Sequence, residues 1–254
     1  MSVERPHDLD TVGRFGDRAD DYVRYRPTYP ADAVRAILAG LGPPEHLIAA
    51  DVGAGTGISA RLLAEQGVRV VAIEPGEAMR RAAAPHANVA WVAARAEATA
   101  LRAESVGLVV CAQSFHWFRH ADALAEFARI LEPRGRLAIV WNRRSASDPL
   151  TAGYRQAIVD VSGESPAESM SFDPGVVARS ELFSAPERTG YPNVQRLDLD
   201  GLVGRAWSAS YVPKSGAAGE RLLGLLRGLH GRYADANGFV RLVYETEVFC
   251  SSKR

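Results

Sequence analysis

The residues best suited to binding a ligand are three glycines at positions 53, 55 and 57. Asp51 precedes them, and Glu74 follows them further along the chain. The glycines follow an apolar run at 47–50 that has the length of a buried strand. Glycine lets the backbone approach a ligand where a Cβ atom would collide. Glu74 lies 23 residues after Asp51, at the end of a second apolar run, where a carboxylate can accept from both hydroxyls of a ribose. The pattern predicts a strand, glycine loop, helix and strand that bind a nucleoside.

The spacing of the glycines distinguishes between the nucleotide-binding loops that they could form. A dinucleotide loop of the form G-x-G-x-x-G needs glycine at position 58, where this sequence has Ile58. A phosphate loop needs Gly-Lys followed by Ser or Thr, and the sequence has no such run. A tight strand-to-helix turn that binds nothing is the structural alternative. Three alternating glycines with an acid at the expected distance make that alternative the weaker interpretation.

The string D-V-G-A-G-T-G at 51–57, with Glu74 downstream, closely resembles the cofactor loop of the class I S-adenosylmethionine-dependent methyltransferases. The resemblance implies that this loop and this acid bind S-adenosylmethionine. It also implies a contact from Met79, which resembles the methionine that lies beside the adenine in that family.

Two further strings resemble cofactor-binding segments of the same family. Ala96-Glu97 matches the Ala-Glu pair of the adenine-binding loop, although Arg95 replaces the acidic residue that would contact the adenine amino group. Gln113 and Ser114 match the small and polar residues that line the methionine part. With Arg26, discussed next, the predicted cofactor-binding residues are Asp51, Gly53, Ala54, Gly55, Thr56, Gly57, Glu74, Pro75, Met79, Ala96, Glu97, Gln113, Ser114 and Arg26.

The N-terminal segment carries the pattern F-x-x-x-A-x-x-Y-x-x-x-R-P-x-Y-P at residues 15–30. Taken alone, it predicts two amphipathic helices that cover one side of a sheet. It also resembles the N-terminal segment of a small-molecule subgroup that includes trans-aconitate methyltransferase-like proteins. The resemblance implies a helical cover that closes over the cofactor and substrate, with Tyr22 lining the acceptor site. Arg26 could hold the methionine carboxylate, because a guanidinium matches a carboxylate with two parallel hydrogen bonds.

A polar and aromatic run, A-Q-S-F-H-W-F at 112–118, follows the predicted fourth strand, where an open parallel sheet places its reacting groups. His116 is the predicted catalytic base, because its ordinary pKa is near neutral. Its structural alternative is a loop histidine that donates to a backbone carbonyl. Trp117 is predicted to stack on the substrate or cofactor, and it could equally be an interior aromatic residue.

Asn142 and Arg143 follow the predicted fifth strand at the same edge and are predicted to bind the methyl acceptor. A carboxylate acceptor could pair with an arginine and needs no base, because it is already ionised at neutral pH. A hydroxyl or carbon acceptor would need His116, and the sequence slightly favours such a protonated acceptor. The histidines lack the spacing of a metal site, so no metal is predicted.

Composition limits the partners and the compartment. The 254 residues carry 30 basic and 30 acidic side chains and no dense basic run, which predicts no nucleic-acid or membrane partner. The sequence has no signal-peptide pattern and no apolar stretch of membrane-spanning length. Cys111 and Cys250 lack metal spacing and are typical of reduced thiols in a cytoplasmic protein. We expect a monomer or a homodimer.

The elements and the resemblance together predict an α/β fold with a Rossmann-like, seven-stranded, mostly parallel sheet and an antiparallel last strand. Helices are expected on both faces, with an N-terminal helical cover and a helical lid. One domain should span residues 1–254, with cover helices at 10–42, a cofactor-binding core at 46–142 and a C-terminal half at 143–254 whose lid helices lie at about 201–236. The fifth strand is predicted at 137–141, after a sharp turn at 131–136, and the last strand at 238–249.

The predicted function is S-adenosylmethionine-dependent methyl transfer to a small organic molecule, by O- or C-methylation. Two alternatives stay open. One is a catalytically silent protein that binds S-adenosylmethionine or serves as a partner subunit. The other is an NAD-type oxidoreductase, which Ile58 and the lack of a second nucleotide-binding half disfavour.

Overall fold

The computed structural model describes residues 24–163, 172–209 and 211–254. Its strands are β1 (Ile48–Val52), β2 (Arg69–Ile73), β3 (Val89–Val92), β4 (Val106–Ala112), β5 (Leu131–Arg144), β6 (Glu187–Leu197) and β7 (Val240–Ser252). They form one seven-stranded sheet in the order β3-β2-β1-β4-β5-β7-β6. Strands β1 to β5 are parallel, and β7 lies antiparallel between β5 and β6. The predicted fold class is confirmed.

Helices connect most of these strands, and side-chain caps fix the start of two of them. The helices are α1 (Ala31–Leu38), α2 (Ile58–Glu65), α3 (Glu77–Ala82), α4 (His120–Ile130), α5 (Pro149–Ser162), α6 (Gly175–Ala178), α7 (Leu199–Trp207) and α8 (Gly216–Tyr233). Asp148 accepts from the Thr151 N–H (2.8 Å) at the start of α5, and Asp198 accepts from the Gly201 N–H (2.7 Å) at the start of α7. In the described part of the chain, no helix has both the length and the apolarity needed to cross a membrane.

The central strands are buried on both faces, as parallel strands between two layers of helices must be. In β4, Leu108 and Val110 pack on the face that α1 and α2 cover. Val109 and Cys111 alternate to the other face and pack with residues of α4 and α6. The continuous apolar run in β4 therefore serves two cores, which explains why it shows no polar alternation.

A third apolar cluster lies beyond the carboxyl end of β5. Arg144 at this end pairs with Tyr244, and β6 and β7 continue to pair with each other past that point. Residues of α5, α7 and α8 pack on this extension. A Cβ atom at Gly153 in α5 would lie 2.8 Å from Leu229 Cδ2 in α8, so these two helices are in close contact. The helices predicted as a lid therefore stand at the carboxyl edge of the sheet; their movement as a lid stays a prediction.

Two strands extend beyond their predicted bounds. β5 begins at Leu131, because Leu131 already pairs with Val106, and the predicted turn is a bulge inside the strand where Arg134 has a φ of +63°. β7 extends to Ser252, past the predicted end at 249, because Ser252 pairs with Arg136 of β5. In both cases a partner strand lengthens the element beyond its apolar run.

Candidate active site

The glycine loop between β1 and α2 is fastened to the ends of the neighbouring strands. Gly53, Gly55 and Gly57 have φ angles of +67°, +57° and +77°, a region that favours glycine. The Gly53 N–H donates to the carbonyl of Ile73 at the end of β2 (2.9 Å). A Cβ atom at position 53 would lie only 2.6 Å from the Cβ of Ser114. Glycine is therefore required there for its conformation and for the close approach of the loop after β4.

Glu74, at the end of β2, is held by the backbone on both sides. Its Oε2 accepts from the Gly55 N–H (2.9 Å) and its Oε1 accepts from the Gly76 N–H (2.7 Å). The Arg80 guanidinium fixes the same turn by donating to the carbonyls of Glu74 and Pro75 (2.6 and 2.8 Å). Burial raises the pKa of the Glu74 carboxyl, and the two backbone hydrogen bonds oppose that rise. Each carboxylate oxygen keeps a second acceptor position that a ligand hydroxyl can use.

Asp51 lies beneath the loop, completely buried at the end of β1. Its Oδ2 accepts from the Ser59 hydroxyl of α2 (2.7 Å), and the backbone N–H of Ala60 also interacts with this carboxylate. Burial raises the pKa of this carboxyl to about 7, and the charge of Glu74 contributes to the rise. Asp51 therefore positions the start of α2 through Ser59 and does not line the cleft, contrary to its predicted direct contact with the cofactor.

The loop after β4 forms the opposite wall. Gln113 has a φ of +57°, and its N–H and side-chain Nε2 donate to the carbonyls of Val140 (2.9 Å) and Asn142 (3.3 Å) in β5. The Ser114 hydroxyl donates to the carbonyl of Val52 at the end of β1 (2.7 Å). These contacts fasten the loop across three strand ends, and a short 3₁₀ helix, Phe115–Trp117, follows it.

Between these two walls lies a cleft of about 870 Å³, part of it open to solvent. Several predicted site residues lie together in its lining: Gly53, Ala54, Gly55, Glu74, Pro75, Met79, Gln113, Ser114 and Trp117. The sequence did not single out the remaining lining residues, which are Tyr29, Ile58, Ser59, Gly76, Ala78, Ala112 and Phe118.

The missed residues had a partial signal. Tyr29 belongs to the R-P-x-Y-P string, and Ile58 and Ser59 form the first turn after the glycine loop. Gly76 follows Glu74 by two residues and donates its N–H to that carboxylate. Proximity to a motif could have found these residues. Ala112 and Phe118 belong to the A-Q-S-F-H-W-F run itself, and Phe118 also packs with residues of the core.

Besides Asp51 and Arg26, four of the predicted cofactor residues lie outside this lining: Thr56, Gly57, Ala96 and Glu97. The Glu97 carboxylate accepts from the Arg119 N–H (2.8 Å) just before α4. Ala96 is buried in the core on the α4 side, and Thr56 is buried as well. Gly57 packs under the aromatic ring of Trp91 in β3. These residues support the walls of the cleft, because core packing and local caps occupy their side chains.

The N-terminal segment is described from residue 24, so Tyr22 lies outside the described residues. Arg26 is half-buried, and its Nη2 donates to the carbonyl of Ser208 after α7 (3.2 Å). The next residues are fastened to the far side of the sheet, where the carbonyl of Thr28 accepts from Asn193 Nδ2 in β6 (2.9 Å). Arg26 therefore points towards the helices at the carboxyl edge and does not line the cleft, where it was predicted to hold the cofactor.

His116 lies behind the lining residue Trp117. Its ring centroid is 4.6 Å from that of Trp117 and 5.0 Å from that of Trp141 in β5. Burial lowers the pKa of this imidazole to about 3, and the nearby His120 and Arg26 lower it further. Such an imidazole is neutral at physiological pH but accepts a proton weakly, so these surroundings do not suit the predicted general base.

Asn142 and Arg143 are engaged elsewhere and do not line the cleft. The Asn142 amide is buried, donates to the carbonyl of Thr28 (3.2 Å) and accepts from the Thr246 hydroxyl (2.5 Å). The exposed Arg143 guanidinium forms ion pairs with Glu245 and Glu247 of β7. Their predicted role in binding the acceptor is not supported, because Asn142 joins three segments of the fold and Arg143 belongs to a surface ion-pair network. Among the described residues, no group of His, Cys, Asp and Glu could hold a metal ion.

Comparison with known proteins shows which family and which relatives this chain resembles. Residues 50–139 match the family described as methyltransferase domain. An uncharacterised methyltransferase of Mycobacterium bovis is 41% identical over 133 residues, which are 51% of this chain and 52% of the relative. One from Schizosaccharomyces pombe is 35% identical over 141 residues, which are 54% of this chain and 56% of the relative. The chain spans about half the length of the curated relatives it matches.

Solved structures resemble a larger part of the chain. One described as a type II methyltransferase, from Anaeromyxobacter dehalogenans, has a TM-score of 0.66 at 24% identity, covering 91% of this chain and 98% of that one. A methyltransferase from an antibiotic biosynthesis pathway of Anabaena variabilis has a TM-score of 0.61 at 22% identity, covering 89% and 98%. These structures show that the fold is shared.

The family match assigns a methyltransferase domain to residues 50–139, and the strand order and the glycine loop agree with the class I S-adenosylmethionine-dependent fold. The resemblance predicted from D-V-G-A-G-T-G and Glu74 is thereby confirmed. Assignment to the subgroup that includes trans-aconitate methyltransferase-like proteins stays a prediction.

Proposed function

We propose that this protein transfers a methyl group from S-adenosylmethionine to a small organic molecule. The observation that carries the proposal is the placement of Glu74. Its carboxylate is fixed by the N–H groups of Gly55 and Gly76 at one wall of a cleft, and Trp117 lies in the lining beside the loop after β4. A carboxylate held in this way can accept from a ribose, as the family resemblance implies.

The residues of the cleft fit this cofactor. Gly53, Ala54 and Gly55 line the cleft with little side-chain bulk of their own, so a ligand can approach the loop closely. Glu74, Pro75 and Met79 would hold the adenosine part, and Gln113 with the glycine loop would hold the methionine part. When bound, S-adenosylmethionine supplies a methyl group on a positively charged sulfur.

The protein's own contribution to methyl transfer is position and exclusion of water. Tyr29, Trp117 and Phe118 give the cleft aromatic walls, and such faces attract a cation. Holding the acceptor in line with the methyl group can lower the barrier by about 7–11 kcal/mol. Because the pKa of His116 is lowered to about 3, we infer an acceptor that does not require this imidazole as a base.

Calorimetry with S-adenosylhomocysteine, NAD and NADP tests the proposed cofactor. We expect micromolar binding of S-adenosylhomocysteine and no measurable binding of either dinucleotide. Binding of NAD alone would instead support the oxidoreductase alternative. Turnover of S-adenosylmethionine labelled in its methyl group, with a panel of small acids, alcohols and amines, then separates an enzyme from a silent binder.

A further inference from the structure

Among the described residues of the N-terminal segment, Tyr29 is the one that lines the cofactor cleft. It comes directly before Pro30, which precedes α1. Its side chain packs against the apolar cluster that lies between the sheet, α1 and α2. A smaller cavity beside the cleft shares Tyr29, Ser59 and Ala112 with it. Tyr29 therefore stands where β4 ends and α2 begins.

This position is on the side of the cleft that would hold the methionine part of the cofactor. In the sheet, β1 lies between β2 and β4. Glu74 and Pro75, which would hold the adenosine part, follow β2, whereas Gln113 follows β4. Neighbouring strands are about 4.8 Å apart, so the ends of β2 and β4 are separated by roughly 10 Å. Tyr29 thus lies near Gln113 and away from the residues proposed for adenosine.

Two side-chain amides converge on the peptide carbonyl directly before Tyr29. The carbonyl of Thr28 accepts from Asn193 Nδ2 in β6 (2.9 Å) and from Asn142 Nδ2 in β5 (3.2 Å). Asn193 Nδ2 also donates to Asn142 Oδ1 (3.2 Å), which accepts from the Thr246 hydroxyl of β7 as well (2.5 Å). These contacts tie the position of Thr28 to three adjacent strands.

Asn142 also contacts a second residue of the cleft lining. Its backbone carbonyl accepts from Gln113 Nε2 (3.3 Å), and Gln113 lines the cleft. Neither Asn142 nor Asn193 lines the cleft itself. The two asparagines therefore fix Tyr29 relative to Gln113 from outside the ligand space. Such support matters, because a displacement of about 1 Å at a binding group can lower activity by roughly a hundredfold.

We propose that Tyr29 binds the methionine part of S-adenosylmethionine with its aromatic ring, and that Asn142 and Asn193 are positioning residues that act through the carbonyl of Thr28. The methionine part carries an ammonium group, and the sulfur of S-adenosylmethionine is itself positively charged. An aromatic face attracts such cations. This inference rests on the proposed function for the identity of the ligand.

Calorimetry on the full chain with two ligands tests the role of Tyr29. S-adenosylhomocysteine has the amino-acid part, and methylthioadenosine has the adenosine part without it. Tyr29→Leu should weaken the binding of S-adenosylhomocysteine by about 3–30-fold and leave the binding of methylthioadenosine unchanged. Tyr29→Phe keeps the ring and should bind both ligands like the wild type.

Tyr191→Leu is the matched control. It makes the same change in a side chain that packs on the same apolar cluster but does not line the cleft. This variant should bind both ligands like the wild type. A loss of S-adenosylhomocysteine binding in Tyr191→Leu equal to that in Tyr29→Leu would assign both tyrosines to packing alone and overturn the proposal.

A double-mutant cycle tests the positioning role. Asn193 is half-buried, whereas Asn142 is buried, so Asn193→Ala is the variant better suited to keep the fold. It should weaken S-adenosylhomocysteine binding by about 2–5-fold in the otherwise wild-type chain. In the Tyr29→Leu chain it should have no further effect, because the group that it positions is gone. Asn88→Ala, the same change at an exposed asparagine before β3, should have no effect in either chain.

The outcomes that contradict this inference differ from those that contradict the proposed function. Wild-type affinity of Tyr29→Leu for S-adenosylhomocysteine, or equal losses for the two ligands, would overturn the role of Tyr29 and leave the methyltransferase proposal standing. An equal loss in Tyr29→Phe and Tyr29→Leu would assign the contact to the hydroxyl and overturn the role of the ring. An effect of Asn193→Ala that is the same in both chains would overturn the positioning role. No binding of S-adenosylhomocysteine to the wild type would overturn the proposed function, and this inference with it.

Discussion

Two groups of predicted site residues are held by different kinds of contact: the cofactor side, which is the glycine loop with Glu74, and the acceptor side, which is Asn142 and Arg143 outside the cleft lining. On the cofactor side, backbone N–H groups donate to the neighbouring strand end, as the Gly55 N–H donates to the carboxylate of Glu74, 19 residues away. On the acceptor side, side chains far apart in sequence meet, as Asn142 meets both Thr28 and Thr246. The cofactor side therefore depends mainly on backbone conformation, and the acceptor side depends on which side chains the folded chain brings together.

Gly53→Ala should distort the glycine loop on the cofactor side and should cause the largest loss in the free energy of unfolding. The change forces an L-residue to a φ of +67° and places its Cβ against Ser114. Strain of about 1–2 kcal/mol and overpacking of about 1–3 kcal/mol together predict a loss of about 2–5 kcal/mol in the free energy of unfolding. Urea denaturation measures this loss.

Gly42→Ala is the matched control for Gly53→Ala. Gly42 also has a positive φ, +83°, but a Cβ atom there would meet nothing within 4 Å. It should lose only the strain, about 1–2 kcal/mol. Equal losses for the two variants would contradict the close approach between the glycine loop and Ser114.

Asp51→Asn should change the pH dependence of stability by the next largest amount. Burial raises the pKa of Asp51 from 3.8 to about 7, so the folded protein keeps a proton that the unfolded chain loses as pH rises through this window. The free energy of unfolding must therefore fall with rising pH between about 4 and 7, by up to about 4 kcal/mol. Asparagine has no such proton, so the variant should be more stable than the wild type at pH 8.

The lowered pKa of His116 makes the free energy of unfolding rise with pH, which is opposite to the effect of Asp51. The two effects can therefore be separated in the Asp51→Asn variant. The folded pKa of His116, about 3, lies below the ordinary 6.5, so the unfolded chain binds the extra proton in this window and stability rises with pH. In Asp51→Asn the free energy of unfolding should therefore rise between about pH 4 and 6.5. Denaturation at several pH values measures it. If it depends on pH in the same way in wild type and variant, the pKa of Asp51 is not raised.

Arg143→Ala should have the smallest effect and tests the acceptor side. The Arg143 guanidinium is exposed and pairs with Glu245 and Glu247 of β7. Exposed ion pairs contribute roughly 0–1 kcal/mol, so the free energy of unfolding should change by no more than that. The Michaelis constant for an acceptor identified by labelled turnover should stay at its wild-type value. A several-fold rise would restore the role in acceptor binding that the sequence suggested.

The contrast between the two sides explains what the sequence could predict. Gly53 and Glu74 were predictable because positive φ angles and close approach demand glycine, and because a strand end fixes the position of the acid. Gln113 and Ser114 were predictable because they follow a buried strand whose carboxyl end must open at the same edge. The resulting cleft brings these residues together.

The acceptor side could not be predicted in the same way. Asn142 has the local context of a site residue, but its amide is used by Thr28 and Thr246, which no local pattern connects to it. The compartment, the oligomeric state and the partners stay predictions from composition.

Calorimetric titration of S-adenosylhomocysteine into the Glu74→Ala protein tests the central claim that this cleft binds the cofactor through Glu74. The loss of a carboxylate that accepts charge-assisted hydrogen bonds should weaken binding by about 1–3 kcal/mol, which is roughly 5–150-fold. Glu77→Ala, an exposed glutamate in the first turn of α3, is the control and should bind like the wild type. Weakened binding in Glu74→Ala alone is the predicted result, and equal affinity in the two variants would contradict the account.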